Sequence, residues 1–220
     1  MDNINRKPKG FTVMEMLVVI IIIAIVSTIG TNTYKSQRKQ VIYNDSVFKI
    51  LSMIKQARNY AVTSRPVYDP FLEESLVPAE GYGVYISRSD VPGETRVVLF
   101  ANTAASDEIS ASQFDENQTT DDIIEEEYLL HKDTALAGLS IDLAEPVHTV
   151  IGGGTDSEAV IIYRPPLADA TLAVNDYGTF TGLEILNDLY LEFRRYEVPE
   201  EIPSMYIHIN RLAGFPEIVK

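Results

Sequence analysis

The most continuous feature of the chain is an apolar run near its start. Every residue from 16 to 26 is apolar, and residues 20–23 are all isoleucine. The wider segment 11–30 has a single charged residue, Glu15. As a helix, this segment would be about 30 Å long, which matches the hydrocarbon thickness of a bilayer. Because only a helix satisfies its own backbone groups in lipid, the pattern predicts a membrane-spanning helix over 11–30.

A one-sided apolar pattern follows. Apolar residues recur at spacings of three and four, which is typical of an amphipathic helix with one buried face. Pro66 marks the end, since proline lacks a donor N–H and disfavours helix in the preceding residue. We predict one helix over 11–64, with a membrane half (11–30) and an amphipathic half (31–65 including its end) packed on a head. The apolar stripe is Tyr43, Val47, Ile50, Leu51, Ile54, Ala57 and Ala61.

Residues 66–220 have the pattern of a β-rich head. Runs of β-branched and aromatic residues alternate with turn residues, and 81–86 and 95–100 flank Pro92-Gly93 as a predicted hairpin. The polar stretch 102–122 predicts a loop. One helix followed by strands predicts an α+β fold, with an antiparallel sheet packed on the helix. Further strands are predicted at 128–131, 140–143, 147–151, 159–163, 171–174, 189–196 and 205–211.

The charge distribution limits the possible partners of the head. The whole chain has a net charge of −14, and residues 66–220 carry 8 basic and 29 acidic residues, a net charge of −21. Such a surface repels phosphate backbones, so we expect no nucleic-acid partner. The chain has no cysteine, which excludes disulfides, thiolate metal sites and a cysteine nucleophile.

Glu15 discriminates between explanations of the apolar segment. A secretory signal would have a small-residue cleavage site after the apolar centre, and a plain single-span anchor would account for the length and the basic flanks. Neither explains an acid inside the span, which costs about 2.5–3.5 kcal/mol at the bilayer centre and marks a functional site by default.

The segment KGFTVMEMLVVIIIIAIVSTIG resembles the N-terminus of type IV prepilins and of type II secretion pseudopilins. That family has a short basic leader ending in Gly, then Phe, Thr, an apolar pair, Glu and a long apolar helix. Gly10 matches the last leader residue, Phe11 the first mature residue, and Glu15 the acid at mature position five. The matched part covers about 20 residues of the chain, and residues 1–10 correspond to the leader.

The resemblance implies how the chain is processed and where it resides. A prepilin peptidase would cleave between Gly10 and Phe11 and would N-methylate Phe11. The subunit would cross the inner or cytoplasmic membrane once, with its N-terminus in the cytoplasm and its head outside. It would then join a filament with other pilin or pseudopilin subunits through an inner-membrane assembly platform. The amine of Phe11 would pair with Glu15 of a neighbouring subunit, because a buried charge is tolerated only when it is paired.

Two further features bear on the subgroup. Many major pilins have a proline about 22 residues into the mature chain, where this chain has Asn32, so the departure favours a minor subunit. The end of the helix resembles that of the GspH/FimT group of minor pseudopilins, in which an Ala-Arg-x-x-Ala stretch leads to the first strand. Ala57, Arg58 and Ala61 match that stretch.

No residue pattern in the head indicates catalysis. The histidines His131, His148 and His208 are dispersed, and we expect no metal site and no cofactor. An acidic cluster could hold Ca²⁺ through oxygen ligands, but it lacks the EF-hand spacing, so a solvated acidic loop is the better interpretation. The cluster consists of Asp115, Glu116, Asp121, Asp122, Glu125, Glu126 and Glu127.

The sequence therefore predicts a non-enzymatic structural subunit, a minor pilin or pseudopilin. Two alternatives remain open at this point. One is a tip subunit whose head binds an adhesion target or a secreted substrate. The other is a plain single-span, membrane-anchored extracytoplasmic protein.

Overall fold

The computed structural model describes residues 11–69, 73–89, 91, 93–103, 122–140, 150–151, 158–176, 179–181, 188–195 and 204–219. These residues form one helix, α1 (Val13–Val62), and thirteen strands. The strands are β1 (Val67–Asp69), β2 (Glu74–Leu76), β3 (Gly81–Ser87), β4 (Arg96–Asn102), β5 (Asp122–Leu129), β6 (Thr134–Ser140), β7 (Val150–Ile151), β8 (Glu158–Arg164), β9 (Asp169–Asp176), β10 (Thr179–Thr181), β11 (Asp188–Arg195), β12 (Met205–Asn210) and β13 (Pro216–Val219).

The long helix is confirmed, and its C-terminus is closed by backbone hydrogen bonds. The N–H of Arg65 donates to the carbonyl of Tyr60 over 3.0 Å, and the N–H of Ser64 donates to the carbonyl of Ala61 over 3.1 Å. Ser64 has a φ of 47°, so the chain leaves the helix through a left-handed residue. This is a Schellman ending, with serine where glycine is usual. Pro66 follows directly and prevents the helix from resuming.

The chain divides into two compact units, Met1–Val41 and Ile42–Lys220. The second unit contains the C-terminal part of α1 and all thirteen strands. The strands form a six-stranded sheet in the order β10-β9-β8-β3-β4-β5, a five-stranded sheet in the order β13-β12-β11-β6-β7, and the pair β1-β2. Every recorded strand pairing is antiparallel. The predicted α+β class and antiparallel head are therefore confirmed.

One hydrophobic core joins α1 to both large sheets. All seven residues of the predicted apolar stripe are buried, together with Met53, which the sequence interpretation omitted. They pack with inward-facing residues of both sheets, such as Leu99 and Leu191. Burying an aliphatic side chain of this size stabilises a fold by about 1.5–3 kcal/mol. The helix is therefore an integral part of the core of the head.

Tyr43 supplies the polar link between α1 and the five-stranded sheet. Its hydroxyl donates to the carbonyl of Phe193 over 2.8 Å and accepts the N–H of Met205 over 3.1 Å. These two residues lie opposite each other on β11 and β12, at the end of their pairing. The buried hydroxyl is satisfied in both roles, so it fixes the register of α1 on the sheet without leaving an unpaired group.

The predicted hairpin is confirmed in full register. Gly81 of β3 pairs with Asn102 of β4, and the pairing continues to Ser87 and Arg96. Gly81 has a φ of 98°, and a Cβ there would lie 2.1 Å from the carbonyl oxygen of Tyr163. The close approach of β8 therefore requires glycine at the start of β3.

Several strand predictions need correction. The strand predicted at 128–131 begins at Asp122, and the strand predicted at 140–143 is instead Thr134–Ser140. Positions 141–149 lie outside the described residues. Most of β5 was missed because three consecutive glutamates are unfavourable for a strand, and all of β6 except Ser140 was missed because its small residues give a weak hydrophobic pattern. The short strands β1, β2, β10 and β13 were also missed.

We expect a fragment starting at Lys35 to be soluble, monomeric and β-rich. It omits the apolar span but keeps the whole buried stripe of α1, which begins at Tyr43. Circular dichroism and size-exclusion chromatography of residues 35–220 measure this. An unfolded fragment would contradict the inferred packing of the helix on the head.

Two buried tyrosines provide a matched test of the core. Tyr82 and Tyr163 lie opposite each other on β3 and β8, and both are fully buried. The Tyr82 hydroxyl donates to the carbonyl of Arg65, whereas the Tyr163 hydroxyl has no hydrogen-bond partner among the described residues. We expect Tyr82→Phe to lower the free energy of unfolding by about 1–2 kcal/mol and Tyr163→Phe to raise it by about 1 kcal/mol. Urea unfolding of the same fragment measures both, and equal losses would contradict the assignment.

The same tyrosines should make the head less stable in alkali. Burial raises the pKa of Tyr82 to about 12, with the charge of Glu125 adding to the rise, and burial also raises the pKa of Tyr163. Tyrosine in an unfolded chain titrates near 10. Above pH 10 the unfolded chain therefore binds fewer protons than the folded one, so stability falls as the pH rises toward 12. Each Phe variant should show a smaller loss between pH 8 and pH 11 than the parent fragment.

Candidate functional site

The first turn of α1 is held by reciprocal hydrogen bonds between Thr12 and Glu15. The backbone N–H of Thr12 donates to Oε2 of Glu15 over 2.9 Å, and its hydroxyl donates to the same oxygen over 3.1 Å. In return, the N–H of Glu15 donates to Oγ1 of Thr12 over 3.2 Å. This is a capping box, which satisfies backbone donors that the first helical turn leaves unpaired.

The capping box gives Glu15 a role within its own subunit. A carboxylate in the first turn also interacts favourably with the positive end of the helix dipole. Sequence reasoning identified Glu15 as a site residue but missed Thr12. The signal was present in the sequence, because a Thr followed three residues later by Glu before an apolar run is the pattern of a capping box.

The other predicted site residues are placed as far as the structure describes them. Phe11 precedes the helix, and its side chain is 83% exposed. Gly10, the residue before the predicted cleavage position, lies outside the described residues. Phe11, Thr12 and Glu15 therefore stand together at the start of α1.

The apolar segment that follows exposes its side chains on all sides. Large side chains from Val13 to Ile29 are between 46% and 86% exposed. Among the described residues, one helix is long and apolar enough to cross a membrane, and none of its apolar stretch is buried. Exposed apolar surface costs about 25 cal/mol per Å² in water, so this surface requires lipid or neighbouring helices.

Polar side chains near the end of the span are satisfied by the helix itself. The hydroxyl of Thr28 donates to the carbonyl of Ala24 over 2.9 Å, and the hydroxyl of Thr31 donates to the carbonyl of Thr28 over 3.0 Å. Such bonds remove the cost of an unpaired hydroxyl in lipid. They make this part of the helix compatible with the interior of a membrane.

The interpretation of the acidic cluster as a solvated loop is wrong for its second half. Glu125, Glu126 and Glu127 lie in β5, the outermost described strand at one edge of the six-stranded sheet. The cluster members Asp115, Glu116 and Asp121 lie outside the described residues, and Asp122 is the first residue of β5.

Each of the three glutamates has its own cation. Glu125 lies 3.2 Å from Arg65, Glu127 lies 2.7 Å from Arg96, and Glu126 pairs with Lys49 of α1. A register shift between Leu99 and Phe100 places one extra residue in β5, as in a β-bulge. In the described part of the chain, no three His, Cys, Asp or Glu side chains are arranged to hold a metal ion.

The two histidines that the structure describes, His131 and His208, do not converge. His208 lies between two carboxylates, with Nε2 2.7 Å from Asp188 and Nδ1 3.0 Å from Glu217, and its ring stacks on Tyr190 at a centroid distance of 4.3 Å. Both ring nitrogens are thus engaged in linking β11, β12 and β13. His131 contacts Asp133 in a separate turn, and position 148 lies outside the described residues.

A cavity of about 530 Å³ lies between the turn after β8 and the turn after β12. Its lining includes the charged residues Arg164, Asp169 and Arg211 and the apolar residues Leu167 and Leu212. The two leucines are 77% and 91% exposed. This volume is within the range of ligand pockets, and its lining combines apolar and charged groups.

Comparison with known proteins gives one result, and it falls on the same N-terminal residues. Residues 5–31 match the family model described as the prokaryotic N-terminal methylation motif, which is the leader of type IV prepilins and pseudopilins. Comparisons with curated proteins and with solved structures found no match for the chain. The motif and the exposed apolar helix together indicate a membrane-anchored protein, and the chain carries the prepilin leader of the type IV pilin and pseudopilin family.

Proposed function

We propose that this chain is a non-enzymatic structural subunit, a minor pilin or pseudopilin that assembles into a type IV pilus or a type II secretion pseudopilus. The observation that carries the proposal is the methylation motif at residues 5–31, joined directly to a helix with an apolar surface on all sides. Assembly through the new N-terminus would explain why the chain has a motif for N-terminal processing. The apolar helix supplies the surface that neighbouring subunits would bury.

Processing would create the charge that assembly uses. Cleavage between Gly10 and Phe11 by a prepilin peptidase leaves a positive amine on Phe11, one residue before Thr12 of the capping box. The peptidase would act on the cytoplasmic side of the inner or cytoplasmic membrane and would N-methylate that amine. The head would then lie outside the membrane, and it would enter the filament together with its helix at the assembly platform.

Glu15 would pair with the Phe11 amine of a neighbouring subunit. Both hydrogen bonds from Thr12 end on Oε2. A carboxylate offers two oxygens with about four lone-pair sites, so an incoming amine can be accepted without breaking the cap. Helices that are out of register would leave the amine and the carboxylate buried and unpaired, which is strongly unfavourable. The pair would therefore set the axial register of the filament.

The helix itself favours a minor subunit over a major one. Asn32 stands where many major pilins have proline, and α1 continues as helix through this position. Ala57 and Ala61, which match the GspH/FimT group, are fully buried in the core, as the end of a packed helix requires. Assignment to that group remains part of the proposal.

A second candidate function is a tip subunit that binds a ligand with its head. The cavity beside Leu167 and Leu212 favours it, because strongly exposed leucines next to charged groups are typical of a binding surface. The two candidates are compatible, since a tip subunit would use the same N-terminal helix to join the filament.

The prepilin leader predicts a specific cleavage product. In a host with the prepilin peptidase, the mature N-terminus should be N-methylated Phe11, and Gly10→Val should leave the leader attached, because a branched side chain hinders the scissile bond. Mass spectrometry of the purified chain measures both. An intact leader in the parent chain, or cleavage near positions 28–30, would refute the prepilin assignment.

Two variants separate the charge of Glu15 from its capping role. Glu15→Gln can still cap the helix but cannot form an ion pair with an amine, whereas Thr12→Val removes the cap and keeps the charge. Breaking a buried ion pair costs about 3–5 kcal/mol, which lowers incorporation about a hundredfold or more. We expect Glu15→Gln to be inserted and processed but absent from sheared filaments, while Thr12→Val is incorporated.

Membrane fractionation and immunoblotting of sheared filaments measure these outcomes. Normal incorporation of Glu15→Gln would remove the pairing role. Loss of Thr12→Val from filaments would show that the helix cap is also required for assembly.

A further inference from the structure

We propose that Tyr34, Lys35, Arg38 and Lys39 bind the phosphate groups of anionic phospholipids at the end of the span opposite the leader. We name these four residues the basic collar. The inference rests on the proposed membrane-spanning role of α1. It adds a ligand class, the anionic glycerophospholipid headgroup, that neither the methylation motif nor filament assembly requires.

The helix places the four side chains on one side. At 3.6 residues per turn, they fall within an arc of about 140°. Tyr34, Lys35 and Arg38 are exposed, with Tyr34 at 66%, and Lys39 is partly buried. All four lie on α1 and within the unit Met1–Val41. The result is a cationic face with one aromatic ring at its edge.

The position of the collar along the helix also places it near the headgroup layer. At 1.5 Å per residue, Lys35 lies about 7.5 Å and Lys39 about 13.5 Å beyond Gly30, where the apolar segment ends. The polar layer of a bilayer is about 5–8 Å thick on each side. Lys and Arg side chains lie along the helix and extend their charge toward the interface. Tyrosine is also enriched at the interface. Tyr34 and Lys35 therefore lie in the headgroup layer, and Arg38 and Lys39, whose backbone lies beyond it, reach back toward it with their side chains.

The positive charge of the collar is complementary to the negative charge of lipid phosphate. No acidic residue occurs between Glu15 and Asp45, so the collar has no carboxylate close by in sequence. An anionic membrane surface attracts each nearby basic side chain, and the effect is about fivefold in affinity per charge. The collar therefore matches lipid phosphate in both sign and position.

The collar has a consequence for the processed chain. Removal of residues 1–10 takes away Arg6, Lys7 and Lys9, the basic residues on the other side of the span. After this removal, the collar remains as the basic cluster next to the span. It would hold the mature subunit at the outer headgroup layer until assembly withdraws the helix from lipid.

The experiment uses the full chain in an uncharged detergent. Because the chain has no cysteine, Ser36→Cys gives a single labelling site for an environment-sensitive fluorophore beside the collar. Phosphatidylglycerol and phosphatidylcholine are titrated into the micelles in turn. We expect phosphatidylglycerol to bind more tightly, with a preference that shrinks in 0.5 M NaCl because salt screens surface charge.

A charge-matched pair of variants locates the effect. Lys35→Gln with Arg38→Gln should weaken phosphatidylglycerol binding about thirtyfold, the product of two charges. Lys55→Gln with Lys132→Gln removes the same net charge from exposed positions outside the collar and should leave binding unchanged. Exchanging the two collar residues, as Lys35→Arg with Arg38→Lys, should restore wild-type binding. Circular dichroism verifies the helix in each variant.

Equal affinity for the two lipids, or an equal loss in the collar and control variants, would overturn the proposal. The titration requires neither processing nor assembly. A chain that is never cleaved but prefers phosphatidylglycerol would refute the proposed function and retain the collar. A chain that assembles normally but shows no lipid preference would refute the collar and retain the proposed function.

Discussion

The structure depends on one helix that changes its surroundings along its length. Over its first half, α1 is apolar on every side and requires lipid or other helices. From Tyr43 onward it is apolar on one side, and that side forms the core of the head. A continuous helix satisfies its own backbone in both environments, so neither half needs a break. The transition is made by side chains alone, through the polar stretch after Gly30 and the charged residues that follow.

Charge in the head is organised around this helix. The head is strongly acidic overall, yet the three consecutive glutamates of β5 each meet a cation, two of them from α1 or the residues just after it. These pairs are partly exposed and individually weak. Their structural value is that they protect β5, the outermost described strand of its sheet, because charged side chains on an edge oppose pairing with other chains. An acidic run that resembles a loop in sequence is therefore the outermost described strand of its sheet, and each of its three glutamates pairs with a cation from another part of the chain.

The sequence predicted the helix, its buried stripe and the β3–β4 hairpin because each has a strong period and clear end signals. It failed where the deciding contact is distant. The glutamates of β5 are tolerable in a strand because Lys49 and Arg65 are nearby in space, which no local pattern reveals. Strand β6 is held by pairing with β11 in spite of its weak pattern. Of the candidate site, Phe11 and Glu15 were predicted from the motif, and Thr12 was overlooked although its spacing from Glu15 announces the cap.

The capping box resolves an apparent conflict in the role of Glu15. A carboxylate that needed a partner from another subunit would be unpaired in every monomer waiting in the membrane. Here Thr12 donates to Oε2 within the same turn, so the carboxylate has hydrogen-bond donors without a second chain. In the proposed filament, the remaining oxygen would be the group that distinguishes a correctly registered neighbour from an incorrect one. Stability before assembly and selectivity during assembly would then depend on different atoms of one side chain.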